Sequence, residues 1–407
     1  MAVSFDKPVI AEHLDRFCVI TGSLVPMGLV IGNIGFETMI GLVGGGWIIR
    51  SLLMRENPLR YHTIHSLLFP WFALLMSIAL SLLINGPGSK GWAHDLVFIR
   101  YLLFFWALSD ISHRRPVAKF MVMGLAAGVG WAVINTLCAY LVGYDLLGKP
   151  LIRYTGKLKE ASRISGMAAY SAPFFLTWGI LDKKLSAKMR GLILFVGLLA
   201  VAQLLQTHVR TAILSSVAGL LYAVVYFIRR RVSTRMAVGS VLILVLVVVL
   251  FFSFSRMWNL ATVYDRIYYW KVAWAMWQEH PVVGVGISSF QDAYKAMAAS
   301  GKVGEFVSPN GVTYHLAEQT HAHNIFFMLI SCTGILGLSA FCWLFVNCVR
   351  MVHTQLEGTR MGLVSFPAVF FTIGMTGFNI FHSWYQALFS FIFVLIACKE
   401  TEGFDDR

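Results

Sequence analysis

Charged residues are scarce in this chain of 407 residues: they make up 13% of the sequence, whereas apolar residues make up 57%. A soluble globular protein is usually about half apolar and about a quarter charged. The apolar residues form long runs without a polar face, such as 192–205 and 241–254. With their flanks, these runs can cross a bilayer core of about 30 Å, and their continuity predicts helices rather than β-barrel strands. The sequence therefore predicts an all-α integral membrane protein.

Cysteine is scarce as well. All 6 cysteines lie inside apolar runs, with no Cys-x-x-Cys pair and no Cys/His cluster. We therefore expect free thiols rather than disulfides or a zinc site. Residues 1–17 also lack the charged start, apolar core and cleavage site of a signal peptide, so we expect the first apolar run to remain as a helix.

Acidic residues are outnumbered: 20 Asp and Glu stand against 33 Lys and Arg, which gives a formal net charge of +13. This excess could indicate nucleic acid binding, but most basic residues cluster between apolar runs. The clusters are Arg50/Arg55/Arg60, Arg114/Arg115/Lys119, Lys183/Lys184/Lys188/Arg190 and Arg229/Arg230/Arg231/Arg235. Such clusters mark cytoplasmic loops. The charge therefore indicates membrane topology and no nucleic acid partner.

The apolar runs predict about twelve transmembrane helices. Their approximate bounds are 17–31, 35–53, 64–84, 94–110, 119–142, 165–181, 191–207, 211–228, 236–254, 323–347, 362–380 and 382–398. We keep the first two spans separate, because merging them would place the basic clusters outside the cell. Helices 1–9 form a membrane domain over 1–254, and a small helical domain over 255–322 lies on the outer side. Residues 323–407 then hold helices 10–12 and a short cytoplasmic tail.

Within the outer domain, residues 264–281 predict an amphipathic helix at the membrane boundary. Its predicted interfacial face comprises Tyr269, Trp270, Ala273, Trp274 and Trp277. Tryptophan and tyrosine favour the membrane–water interface. Ser289 and Asp292 have the spacing of an N-terminal cap and predict a second helix.

Basic residues also occur on the predicted outer side. They are Lys149, Arg153, Lys157, Lys159, Arg163, Arg210, Arg256, Arg266 and Lys271. Each could be a solvated or snorkelling side chain, but Arg210 lies in a tight turn between two apolar spans, where an unpaired charge costs at least a few kcal/mol. Arg210 should therefore face a partner or an anion, and arginine suits phosphate because it donates two parallel hydrogen bonds. The outer carboxylates are scattered, so we predict no metal site, and arginines alone could neutralise a lipid-linked diphosphate.

The stretch EQTHAHNIFF, residues 318–327, places His321, His323 and Asn324 directly before an apolar run. A histidine has a pKa near 6.5, so one beside a diphosphate could deprotonate an incoming hydroxyl. Asn324 could orient that histidine or cap the helix. On a helix the two histidines would lie about 200° apart, so that one faces the site. The alternative is that both are interfacial histidines that cap span ten.

The order of these motifs resembles the O-antigen ligase family. The matching pieces are RISG (163–166), THVRTA with Arg210, RIYYWKVAWAMWQEHPVVGVG (266–286), HAHN (321–324), and His323-Asn324 followed by Gly334 and Gly337. The family's large outer loop likewise precedes its histidine span. By position, the resemblance implies that His323 is a general base and that Arg210 and Arg266 contact a diphosphate. The expected substrate-binding residues are Arg163, Arg153, Lys149, Asn324 and His321.

The resemblance implies a metal-independent, inverting glycosyltransferase without a cofactor, in the bacterial inner membrane with its active site facing the periplasm. The donor would be O-antigen polysaccharide on undecaprenyl diphosphate, and the acceptor would be lipid A-core in lipopolysaccharide biosynthesis. The oligomeric state stays open.

Three related functions are alternatives. O-antigen polymerases use the same donor with a growing chain as acceptor. Protein O-oligosaccharyltransferases usually carry more extramembrane mass near the C-terminus than the tail after residue 398 provides. Bicarbonate-transporter-like proteins are the non-enzyme alternative, but a transporter should keep ionisable groups near the bilayer midplane, whereas the candidate charges here lie at the outer interface.

Overall fold

The computed structural model describes residues 7–57, 59, 61–148, 161–229, 260–303, 306–307, 313–314, 320–354, 357–377 and 379–398. Several predicted features lie outside these residues: the ninth span at 236–254, the candidate binding residues Lys149 and Arg153, and the basic residues Arg60, Lys157, Lys159, Arg230, Arg231, Arg235 and Arg256.

Helices dominate the described residues. The first group comprises α1 (Lys7–Ser23), α2 (Val25–Ile31), α3 (Asn33–Met54), α4 (His62–Asn85), α5 (Trp92–Leu96), α6 (Ile99–Ile111) and α7 (Val117–Val142). The second group comprises α8 (Ala161–Leu181), α9 (Ala187–Gln206) and α10 (Arg210–Arg229). The third group comprises α11 (Leu260–Glu279), α12 (Phe290–Ala299), α13 (Ile325–Thr354), α14 (Arg360–Leu363), α15 (Phe366–Thr376) and α16 (Ser383–Ala397). Two two-residue strands, β1 (Phe306–Val307) and β2 (Thr313–Tyr314), pair antiparallel between α12 and α13.

The helical membrane architecture predicted from the sequence is confirmed. Among the described residues, 7 helices are long and apolar enough to cross a membrane, or 8 if α1 and α2, which meet at a bend of 46°, form one span. The predicted span at 94–110 is divided between α5 and α6, and the one at 362–380 is divided between α14 and α15. The total of about twelve spans and the separate outer domain stay predictions. The strand pair is a small departure from the all-α prediction.

The first two predicted spans are separate, as expected from the charge pattern. Gly32 separates helix α2 from helix α3, and both α1 and α2 pack against α3. The chain therefore turns back on itself here, and the orientation deduced from the basic clusters stays a prediction.

Contacts sort the helix ends into two groups. At one end, Asp15 of α1 forms ion pairs with Arg50 of α3 at 3.2 Å and with Arg114, just after α6, at 3.1 Å. At the same end, the hydroxyl of Tyr222 in α10 hydrogen-bonds to His353 in α13 at 3.1 Å. The starts of α10, α13 and α16 meet at the opposite end, which carries the candidate site. The helices therefore alternate in direction.

A backbone interlock joins α13 to the turn that follows α11. α13 is broken at Gly334, whose φ is 61° and ψ is −161°. Backbone hydrogen bonds of 2.8–3.3 Å link residues 281–286 to residues 331–336. A Cβ on Gly334 would lie 2.2 Å from the Val282 carbonyl oxygen, and one on Gly284, at φ 67°, would lie 2.3 Å from the Cys332 carbonyl carbon. This close approach explains why the sequence has glycine on both sides of the contact.

We expect Gly334→Ala to destabilise the protein by about 2 kcal/mol or more, because the alanine would be strained and would also collide with the turn. The midpoint of thermal unfolding in detergent measures this. Gly130→Ala in α7 is the matched control, since a Cβ there meets nothing within 4 Å. Equal midpoints for the two variants would contradict the interlock.

Candidate active site

Helix α11 carries Arg266 and packs against the chain around the start of α13. Its buried side chains are Tyr268, Val272, Ala273 and Met276. The indole nitrogen of Trp270 donates a hydrogen bond to the Ala322 carbonyl at 3.1 Å, and its ring stacks on Phe327 with centroids 5.6 Å apart. Trp274 is 43% exposed. The predicted tryptophan face is therefore divided: Trp270 fixes α11 to residues 322–327, and Trp274 stays outward.

The segment before α13 is not helical, in contrast to the predicted start of span ten at residue 323. Helix α13 begins at Ile325, and His323 has a left-handed backbone with φ 52°. The side-chain oxygen of Asn324 accepts hydrogen bonds from the backbone N–H groups of Phe326 at 2.9 Å and Phe327 at 3.2 Å. Of the two roles that the sequence left open for Asn324, helix capping is the one observed. This buried cap fixes the residue next to His323.

Because residues 321–323 are not helical, the predicted 200° separation of the two histidines is wrong. The ring centroids of His321 and His323 lie 4.0 Å apart, and that of His382, just before α16, lies 5.2 Å from His321. Tyr269 of α11 stacks on His323 at 5.7 Å. We call His321, His323 and His382 the histidine cluster. No group of three or more His, Cys, Asp or Glu side chains within the described parts of the chain could hold a metal ion.

Arg210 and Arg266 approach His323 from two helices. Arg210 is the first residue of α10, and the next side chain, Thr211, lies so close to Gly377 that a Cβ on this glycine would be 2.9 Å from its hydroxyl oxygen. The backbone of Gly377 in turn forms a hydrogen bond with the ring of His323. The start of α10 therefore lies beside His323. Arg266 lies one turn before Tyr269 on α11 and acts electrostatically on both Arg210 and His323.

Within the described part of the chain, Arg210 and Arg266 are neighbours of like charge. Burial lowers the pKa of Arg266, and the neighbouring charge of Arg210 lowers that pKa further. No carboxylate in the described part of the chain forms an ion pair with either guanidinium. Arg266 is half-buried and Arg210 is exposed, and neighbouring like charges repel each other unless an anion joins them. The pair is therefore suited to bind a group with two or more negative charges.

The histidine cluster is held in its neutral form. Burial, followed by the charge of Arg266, lowers the pKa of His323, although the hydrogen bond to Gly377 opposes this. Burial lowers the pKa of His321 to about 3, helped by the neighbouring histidines and Lys90. Burial and Lys90 also lower the pKa of His382. Near neutral pH, these rings therefore have a nitrogen that can accept a proton.

A family model described as O-antigen ligase matches residues 163–342. These residues form an O-antigen ligase family domain. The resemblance seen in the sequence is thereby confirmed, and the match extends over Arg210, Arg266 and His323. No curated protein matches the chain. This match over residues 163–342 and the apolar helices together point to a multi-pass membrane protein with a region similar to O-antigen ligases.

The O-antigen ligase domain brings most of the predicted site residues together, but Arg163 lies elsewhere. His321, His323, Arg210 and Arg266 converge, with Asn324 beneath them as a helix cap. Arg163 is 9% exposed at the start of α8, where its guanidinium donates a hydrogen bond to the Asn33 side-chain oxygen at 2.8 Å, beside the break between α2 and α3. Its predicted contact with substrate stays a prediction.

Sequence reasoning missed three basic side chains beside the O-antigen ligase motifs: His382, Lys90 and His94. They come from two loops far from residue 321 in the sequence. Both loops resemble HAHN in one respect, because each places a histidine directly before or within the first turn of an apolar helix. That signal indicates which side chains reach this end of the bundle, but spacing alone does not show that they meet.

The lowered pKa values predict that acid destabilises this O-antigen ligase domain. Below pH 6.5 the unfolded chain protonates His321, whereas the folded chain does not until about pH 3, so stability falls with pH across this window. We expect the thermal midpoint in detergent to fall between pH 7 and pH 5.5, and to fall less in His321→Asn. A midpoint that rises on acidification, or an equal fall in the variant, would show that His321 is not held neutral.

Proposed function

We propose that this protein is an O-antigen ligase, which transfers O-antigen polysaccharide from undecaprenyl diphosphate to a sugar of lipid A-core at the periplasmic face of the bacterial inner membrane. The observation that supports the proposal is the meeting of Arg210, Arg266 and His323, which would place a diphosphate next to a proton acceptor. The family match supports the type of reaction.

The arginine pair would hold the donor. A diphosphate carries several negative charges, and each guanidinium can donate two parallel hydrogen bonds to it. Binding would also relieve the repulsion between Arg210 and Arg266, which lowers the pKa of Arg266 in addition to burial. As the bond from the anomeric carbon to the phosphate oxygen breaks, the leaving diphosphate gains charge. The arginines would stabilise that charge in the role that Mg²⁺ has in other enzymes.

His323 would act as the general base. Its neutral ring takes the proton of the acceptor hydroxyl while that oxygen forms a bond to the anomeric carbon. The undecaprenyl diphosphate leaves from the opposite face with the electron pair of the broken bond, so the anomeric configuration inverts. Tyr269 on one side and the Gly377 backbone hold the ring of His323 in position.

Direct transfer with purified components tests the function. The purified protein is mixed with lipid-linked polysaccharide and lipid A-core, without ATP, and polysaccharide on lipid A-core is measured. Transfer to lipid A-core is the expected result. Lengthening of the donor chain without transfer to lipid A-core would identify a polymerase and contradict the ligase proposal.

We expect His323→Gln to lower the transfer rate by about 10²–10⁴-fold, because that is the usual contribution of a general base. Donor binding should persist, since the arginines remain. The wild-type rate should fall as acid protonates His323, and the variant should lack that limb of the pH profile. His280→Gln is the matched control, because His280 is an exposed histidine in the turn after α11. Transfer by His323→Gln at the wild-type rate would contradict this role.

A further inference from the structure

The rings around His323 form a row with two distinct ends. The row runs from Tyr269 through His323 and His321 to His382, with centroid separations of 5.7, 4.0 and 5.2 Å. Tyr269 lies on α11, one turn after Arg266. His382 directly precedes α16. One end of the row, Tyr269, therefore adjoins Arg266, and the other end is His382.

Different charges face the two ends of this row. Burial lowers the pKa of His323 most, and the charge of Arg266 lowers it further. The charge of Lys90 instead lowers the pKa values of His321 and His382, and His94 also lowers the pKa of His382. Lys90 is exposed in the loop between α4 and α5. Lys90 and His94 therefore form a second basic group, which adjoins the His382 end of the row. Arg210 and Arg266 are not part of this group.

The loop that carries Lys90 and His94 is held by a set of hydrogen bonds, of which the one between Ser288 and Asp95 is buried. His94 bonds to the carboxylate of Asp95 at 3.1 Å, and Asp95, which is 1% exposed, accepts a second hydrogen bond from Ser288 at 2.9 Å. The backbone N–H groups of Gly88 and Ser89 donate to Ser288 and Asp292 at 3.1 and 3.0 Å. The loop from Gly88 to Asp95 is thus fixed against the start of α12. These hydrogen bonds therefore hold the loop in a fixed position relative to the histidine cluster.

The reaction geometry assigns the two ends to different substrates. In an inverting transfer, the attacking oxygen and the leaving oxygen stand on opposite faces of the anomeric carbon. If Arg210 and Arg266 hold the leaving diphosphate and His323 contacts the attacking oxygen, the remainder of the acceptor extends away from the arginines. Because the charge of Arg266 acts on His323, whereas that of Lys90 acts on His321 and His382, we place the remainder of the acceptor along the row toward Lys90.

We infer that His321, His382, Lys90 and His94 form the acceptor subsite, and that they bind the hydroxyl groups of a saccharide next to the reacting one. This inference rests on the proposed function. Hydroxyl groups suit the subsite better than a strong anion, because Asp95 and Asp292 already offset its positive charge. Imidazole rings and the amino group of Lys90 can together donate and accept the hydrogen bonds that a saccharide offers.

The test is the dependence of the initial transfer rate on each substrate separately. We expect Lys90→Gln and His382→Gln each to raise the KM for lipid A-core by about tenfold, the usual worth of a hydrogen bond to a charged or well-placed group. The KM for the lipid-linked polysaccharide should stay unchanged. Lys90→Arg should restore part of the affinity for the acceptor. Lys302→Gln is the control, because Lys302 is an exposed lysine that pairs with Glu279 instead.

An unchanged KM for lipid A-core in Lys90→Gln, or a raised KM for the donor, would overturn the subsite. Because Lys90 is exposed, its variant should fold, so it decides the question even if His382→Gln does not fold. A wild-type protein without any transfer would instead overturn the proposed function, which keeps the two failures distinct.

Discussion

The backbone hydrogen bonds between residues 281–286 and 331–336 are the constraint on which the site depends. They tie the turn after α11 to the break in α13, and two glycines make the close approach possible. The Trp270–Ala322 hydrogen bond ties the same two parts of the chain together at their other end. α11 and the start of α13 are therefore held at two points. This attachment fixes Arg266, on α11, relative to His323, just before α13.

The arginines at the two ends of the helix bundle have different neighbours. Away from the site, Arg50 is 4% exposed and pairs with Asp15, and Arg114 pairs with Asp15 and Asp110. Buried charges with such partners serve stability, because removing one partner leaves an uncompensated charge. At the site, Arg210 and Arg266 have each other as neighbours and no carboxylate partner among the described residues. This contrast is the electrostatic argument for an anionic ligand at Arg210 and Arg266.

The sequence predicted those features that depend on composition and local pattern. Apolar runs predicted most of the helices, and the order of the motifs predicted the family. Features that depend on local backbone geometry were predicted less well: the spacing of Ser289 and Asp292 indicated a cap, but Ser289 makes no cap hydrogen bond and Asp292 accepts one from Ser89 instead. The contact between His321 and His382 was not predictable, because it depends on how three helix starts meet. Arg50 and Arg114 were interpreted as loop charges, since a topology rule does not consider pairing between helices.

The central claim is that two arginines and one histidine carry out the transfer without a metal. The most direct measurement is the initial rate of polysaccharide transfer to lipid A-core by the purified protein in detergent, with EDTA and with added Mg²⁺. The account predicts the same rate in both conditions, and a large loss in Arg266→Lys, because a point charge does not reproduce two parallel hydrogen bonds. Loss of transfer in EDTA that Mg²⁺ restores would contradict the claim.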